Sequence, residues 1–191
     1  MTLSIEEVKD RVVFDEAAIA AAVRDLGRRI SQDYANQELL LVGILRGAYL
    51  FLSDLSRAIT IPHVIDFMAV SSYGSGSSSS GVVRIETDLR QNVEGRHVLI
   101  VEDIIDTGLT YSQLKKTLEA RHPRSVKICA LLDKPTHRKV PLVPDYAGLV
   151  VPDLFLVGYG LDYLEYFRGI PYIFSVNPNA LKPLEAAGKL I

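Results

Sequence analysis

The stretch "VLIVEDIIDTGLTYSQ", residues 98–113, decides how the chain is read. Four apolar residues, Val98 to Val101, precede Glu102, Asp103 and Asp106, and a threonine-glycine turn follows. The apolar run predicts a strand covered on both faces. A helix follows over residues 111–121, stopped before Pro123, and Thr110 with Gln113 fits the T-x-x-Q capping box at its start. In a strand Glu102 and Asp103 point to opposite faces, and a charge on a covered face costs several kcal/mol or forces protonation. Both acids are therefore expected at or beyond the strand's end.

The segment "DTGLT", residues 106–110, supplies two hydroxyls, a glycine that lets backbone N–H groups converge, and a helix start. Those are the parts of an anion site, although an ordinary strand-to-helix turn explains the five residues equally well. The acids tip the balance. A ligand with a phosphate at one end, and vicinal hydroxyls with a magnesium ion at the other, satisfies both halves of the stretch. A sugar phosphate has that form. The commoner phosphate motifs are absent: there is no G-x-x-x-x-G-K-[ST], and Gly74-Ser75-Gly76 lacks a third glycine and a following helix.

Working outward, "SVKICALL" (125–132) is a second buried strand, so the central stretch belongs to a βαβ unit. Such units build mostly parallel sheets and place ligands beyond the strands' carboxyl ends. Upstream, Asp15 caps a helix carrying Ile19, Val23, Leu26 and Ile30 at helical spacing. "ELLLVGIL" (38–45) and "VIDFMAVSSY" (64–73) read as strands, with the helix "AYLFLSDLSRAI" (48–59) between them and a Gly/Ser tract, residues 74–81, after them. Downstream come a Pro-rich loop (134–144), short strands near Gly148 and Phe155, the segment "YGLDYLEYFR" (159–168), a strand around Tyr172 and a terminal helix. The chain has 191 residues, no internal repeat and no linker between units, which gives one α/β domain.

Composition limits the partners. A formal net charge of -2 gives no overall attraction for nucleic acid or an anionic membrane, so a phosphate site must be local. Cys129 is the only cysteine and sits in an apolar run, as a buried thiol in a reducing compartment would. No apolar run approaches the ~20 residues that span a bilayer, and "MTLSIEEVKD" lacks the features of a signal peptide. A soluble, cytoplasmic protein without membrane or nucleic-acid partners is expected. The histidines, at 63, 97, 122 and 137, show no zinc-binding spacing.

"VLIVEDIIDTGLT" resembles the phosphoribosyl pyrophosphate signature of the purine phosphoribosyltransferase family. The segments "GILRGAYLFLSDL", "DFMAVSSYG", "LLDKPTHRK" and "VPDLFLVGYGLDYLEYFR" extend the likeness, toward the hypoxanthine-guanine branch, over roughly residues 5 to 175. The resemblance implies the type I phosphoribosyltransferase fold, a mostly parallel twisted sheet flanked by helices. It also implies a lid loop at about 71–83, a purine-binding hood at about 134–175, and a homodimer or homotetramer. The implied reaction transfers 5-phosphoribosyl from phosphoribosyl pyrophosphate to hypoxanthine or guanine with Mg²⁺, giving IMP or GMP and pyrophosphate.

By the same resemblance, Glu102 and Asp103 hold the ribose hydroxyls directly or through Mg²⁺, and Asp106 takes the proton of purine N7 as general base. Thr107, Gly108, Leu109 and Thr110 cradle the 5′-phosphate; Leu109 stands where some relatives have lysine. Leu45, Arg46 and Gly47 form a pyrophosphate loop whose Leu45–Arg46 peptide is left open as cis or trans, and many relatives carry lysine instead of Arg46. Ser72 and Tyr73 close over the pyrophosphate, although composition alone reads their Gly/Ser neighbourhood as a linker. Lys134 donates to a 6-oxo group and has nothing to offer the exocyclic amine of adenine, whereas composition alone reads it as a solvated lysine. Phe155 stacks on the base, where core packing is its ordinary explanation, and Leu156 offers its backbone. Asp162 coordinates a second Mg²⁺ and Arg168 contacts pyrophosphate. Lys134, Phe155 and Asp162 together count against adenine and orotate, while xanthine stays open. A nucleotide-sensing RNA-binding regulator on the same fold would want a basic face, for which the net charge gives no support.

Overall fold

Strand residues Leu39 to Leu45 show how the sheet is built. Leu39 and Leu41 enter one hydrophobic cluster while Leu40, Val42 and Ile44 enter another. That alternation is the period of a strand with both faces covered. The structure is a computed structural model and describes residues 4–72 and 83–180. In chain order the strands are β1 (Lys9–Phe14), β2 (Leu39–Leu45), β3 (His63–Ser72), β4 (Val83–Thr87), β5 (His97–Ile105), β6 (Ser125–Asp133), β7 (Tyr146–Val150), β8 (Leu156–Val157) and β9 (Ile173–Val176). The helices are α1 (Ile5–Val8), α2 (Glu16–Asp33), α3 (Tyr49–Ala58) and α4 (Leu109–Glu119).

The larger sheet has the order β4-β3-β2-β5-β6-β7 and is parallel except for the antiparallel edge strand β4. Helices α2 and α3 cover one face through Ile19, Val23, Leu26, Ile30, Phe51, Leu52 and Leu55. The other face is covered by α4 through Leu114 and Leu118. Burying a side chain such as Phe51 or Leu52 contributes about 1.5–3 kcal/mol, so these stripes fix the layers. The predicted cap is in place: the Asp15 carboxylate accepts from the N–H of Ala18 at 2.8 Å.

A second, antiparallel sheet of order β1-β9-β8 stands beside the first. Its strand β1 and the edge strand β4 were not expected from sequence. The hydroxyl of Tyr159 donates to Asp54 of α3 at 2.6 Å and ties the segment between β8 and β9 to the main layers. The proposed lid tip, with Tyr73 and the Gly/Ser tract, lies outside the described residues, as does most of the expected terminal helix. Ser72 is the last residue of β3, paired with Val83. Among the described residues no helix is long and apolar enough to cross a membrane.

Candidate active site

Strands β2, β5, β6 and β7 run parallel, so their carboxyl ends share one edge, and the sequence-predicted residues collect there. The position of the first two acids departs from expectation. Glu102 and Asp103 lie inside β5, only 4% and 8% exposed, and not beyond its end. The strand continues because Glu102 pairs with Ala130 and Ile105 with Asp133 of β6. Burial first, and the Asp103 charge second, hold the Glu102 carboxyl well above the usual carboxylate range.

The two acids face opposite layers, as strand geometry requires. Glu102 meets the Tyr111 side chain of α4, and Asp103 meets Gly47 at the entry to α3. Glu102 Oε1 accepts from the N–H of Asp103 at 3.1 Å, while its Oε2 is buried without a hydrogen-bond partner. Asp103 Oδ1 accepts from the N–H of Ile104 at 2.6 Å.

Gly47 has no room for a side chain, because a Cβ there would overlap Asp103 Oδ2. The peptide between Leu45 and Arg46, left open by the sequence, is cis. Arg46 pairs with Glu165 at 3.0 Å, and Arg168 pairs with Glu165 at 3.1 Å and with Asp162 at 2.7 Å. Thus Glu165 joins the two arginines expected at pyrophosphate. Leu164, Glu165 and Phe167 all have positive φ, a conformation that non-glycine residues adopt rarely and that concentrates at functional sites.

At the β5–α4 turn the expected capping box is not formed. Gly108, at φ 78°, is the N-cap, no side chain caps it, and α4 begins at Leu109, so Thr110 lies within its first turn. A left-handed N-cap explains the difference: it turns the chain into the helix two residues earlier than the apolar pattern suggested. The first N–H groups of a helix lack intrahelical acceptors, so the turn 107–110 presents amides and the Thr107 and Thr110 hydroxyls at the sheet edge.

The loop after β6 is stitched onto this turn. The N–H of Lys134 donates to the Ile105 carbonyl at 2.9 Å, and that of Lys139 to the Thr107 carbonyl at 2.9 Å. The bonds bring Lys134 and His137 over Asp106. Lys134, buried at 7% exposure, sets its ammonium 3.6 Å from Asp106 and 3.0 Å from Asp153. His137 lies 3.5 Å from Asp106 and 2.9 Å from Asp153. A cleft of about 490 Å³ opens between these residues and Leu154, Phe155, Leu156, Leu161 and Asp162. The Phe155 ring is braced edge-on by Tyr163, with centroids 6.5 Å apart. Another cavity, of about 500 Å³, lies at the opposite, amino edge between Asn36 and Arg96, away from every predicted site residue.

The sequence profile of the phosphoribosyl transferase domain matches residues 12–164. The chain belongs to the phosphoribosyltransferase family. It is 46% identical over 167 residues to a hypoxanthine phosphoribosyltransferase of Salmonella typhimurium, covering 86% of this chain and 94% of that protein. A hypoxanthine-guanine phosphoribosyltransferase of Mycobacterium tuberculosis is 48% identical over 175 residues, covering 87% and 86%. A solved hypoxanthine phosphoribosyltransferase of Staphylococcus aureus superposes with a TM-score of 0.90 at 40% identity, covering 94% and 98%. This phosphoribosyltransferase is therefore a pentosyl-transferring enzyme with the fold its sequence predicted.

The site of this phosphoribosyltransferase also holds residues the sequence did not single out: Tyr111, His137, Asp153 and Glu165. All four stand inside stretches already notable for their neighbours, so only contacts distinguish them. For magnesium, the buried unpartnered Oε2 of Glu102 is a hard oxygen donor of the kind the ion prefers. Among the described residues no group of three or more His, Cys, Asp or Glu side chains is placed to hold a metal ion, and Asp162 is paired with Arg168.

Proposed function

We propose that the enzyme transfers 5-phosphoribosyl from phosphoribosyl pyrophosphate to hypoxanthine or guanine, giving IMP or GMP and pyrophosphate in purine salvage. The observation that carries this reading is the buried Lys134 ammonium beside Asp106 in a cleft that Phe155 and Leu156 also line. An ammonium donates to a 6-oxo group, a carboxylate accepts from N7–H, and an aromatic face stacks on the ring. The segment 134–175 acts as the purine-binding hood.

In the reaction, a purine ring nitrogen bonds to C1′ as the bond from C1′ to the pyrophosphate oxygen breaks, through a ribosyl cation. Asp106 accepts the proton that N7 gives up, which removes charge from the base as the new bond forms. Glu102 and Asp103 hold the ribose hydroxyls and set negative potential beside the cation. The amides and hydroxyls of Thr107–Thr110 bind the 5′-phosphate. Arg46, Gly47 and Arg168 receive pyrophosphate, for which Arg46 and Arg168 exchange Glu165 for the ligand; Ser72 and Tyr73 complete the enclosure. Glu102 and Asp103, with Asp162 at a second position, would hold Mg²⁺, which would supply positive charge against the leaving pyrophosphate. Few protein ligands are needed because magnesium binds largely through substrate oxygens and water. Tyr49 of α3 and Ile65 and Phe67 of β3 are exposed apolar side chains of the kind a homodimer or homotetramer would cover.

An ultraviolet assay with Mg²⁺ and phosphoribosyl pyrophosphate, offering hypoxanthine, guanine, xanthine and adenine separately, tests the reading. Turnover of the first two with none of adenine is expected. Turnover of adenine, or of none of the four, would overturn it.

A further inference from the structure

Neither His137 nor Asp153 has a task in the reaction above, yet both line the base cleft. His137 ends the 3-10 turn Pro135–His137, which the Lys134 and Lys139 backbone bonds hold over Asp106. Its two ring nitrogens are unequally engaged. Nε2 is 2.9 Å from Asp153 Oδ2, a hydrogen-bond length, whereas Nδ1 is 3.5 Å from Asp106 Oδ1. That same Asp106 oxygen is buried and has no hydrogen-bond partner.

Donor inventory gives the arrangement a meaning. A neutral imidazole carries one N–H and can donate to one carboxylate, here Asp153 at the shorter distance, leaving Asp106 Oδ1 for the substrate. An imidazolium carries two and can donate to both. The charged groups facing His137 are Asp106 from the β5–α4 turn and Asp153 from the loop before β8, with Lys134 between the same two carboxylates. The neighbouring Arg138 turns away, to Asp133 and the Leu142 carbonyl. Lys134 first and then His137 hold the Asp153 carboxyl below its usual range, so Asp153 stays an acceptor.

We propose that His137 is a positioning residue for the base: on protonation it bridges Asp153 to Asp106 and competes with the purine for the Asp106 oxygen. Histidine is the side chain whose charge changes between about pH 5 and 8, so the competition grows on the acid side. Phosphoribosyl pyrophosphate, which contacts other residues, is untouched by it. The inference rests on the assignment of Asp106 to the base.

The test compares wild type with His137→Gln, whose amide can still donate to Asp153 but cannot become a cation. In wild type the KM for hypoxanthine is expected to rise about 3- to 5-fold from about pH 8 to about pH 6, as for other partly exposed ion pairs. In His137→Gln it stays level, and the KM for phosphoribosyl pyrophosphate responds to pH alike in both proteins. The same pH dependence of the hypoxanthine KM in both proteins would overturn the bridge. Absence of turnover in wild type at about pH 8 would instead count against the proposed reaction. A second readout needs no activity: the His137 ring signals in nuclear magnetic resonance should move more on Asp106→Asn at about pH 6 than at about pH 8. Equal displacement at both would also overturn it.

Discussion

Glu102 and Asp106 are four positions apart in one stretch, yet they live in opposite surroundings. Glu102 is enclosed in β5 with one oxygen unpartnered and no cation among its contacts, and its burial raises its proton affinity. Asp106, at the turn, has the Lys134 ammonium and the His137 imidazole within 3.6 Å. The difference teaches a division of labour. A carboxyl whose burial raises its proton affinity gains most from an arriving cation and suits the ribosyl side, and one already kept company by donors suits exchange of a proton with the base.

The largest effect should come from the base side. Asp106→Asn should lower kcat by ~10²-fold or more, since a positioned general base contributes about that much. An unchanged kcat in steady-state assays would remove Asp106 from that role. On the sugar side, Gly47→Ala puts a Cβ where Asp103 Oδ2 stands. The displaced loop should lower kcat/KM for phosphoribosyl pyrophosphate by about 10-fold or more, with the hypoxanthine KM less affected. Equal loss for both substrates would blur the division.

Stability sharpens the contrast further. A carboxyl raised in the folded state contributes stability below its unfolded value, and that contribution is lost as pH rises through the folded value. In chelator-treated protein, Glu102→Gln should therefore melt about 3 °C or more above wild type at about pH 8, with the gap narrowing at about pH 5. A gap independent of pH would mean that Glu102 is not proton-bound when folded. The smallest effect belongs to the scaffold ion pair Asp88–Arg121, joined by bonds of 2.8 and 2.9 Å. The Arg121 guanidinium lowers the Asp88 carboxyl, so its contribution is present above the ordinary carboxylate range and lost as pH falls through the lowered value. Because the pair is partly exposed, Asp88→Asn should cost at most ~1 kcal/mol in urea unfolding at about pH 7 and nothing at about pH 2.

The elements with a single dominant period were legible in the sequence. The apolar runs of β2, β5 and β6 and the stripes of α2 and α3 gave the parallel sheet and its covering, and with it the edge where ligands bind. Strands β1, "KDRVVF", and β4, "VRIET", were not legible, because edge strands half open to solvent carry charges that hide a period of two. Thr110 and Gln113 suggested a capping box, but the left-handed Gly108 supplies the cap position instead. Glu102 and Asp103 were placed past the strand on the premise that both are ionised, whereas burial disfavours the charged form of Glu102. His137 and Asp153 could not be found from spacing, since two separate loops, one after β6 and one before β8, bring them together.

Division of labour between the ribosyl-side acids, Glu102 and Asp103, and the base-side Asp106 is tested most directly by calorimetric titration of Mg²⁺-phosphoribosyl pyrophosphate into Asp103→Asn and Asp106→Asn. Asp106→Asn should bind within about 2-fold of wild type, and Asp103→Asn about 10-fold or more weakly, as expected when a hydrogen bond to a charged group is lost. Equal weakening in both variants, or a larger loss in Asp106→Asn, would contradict the division.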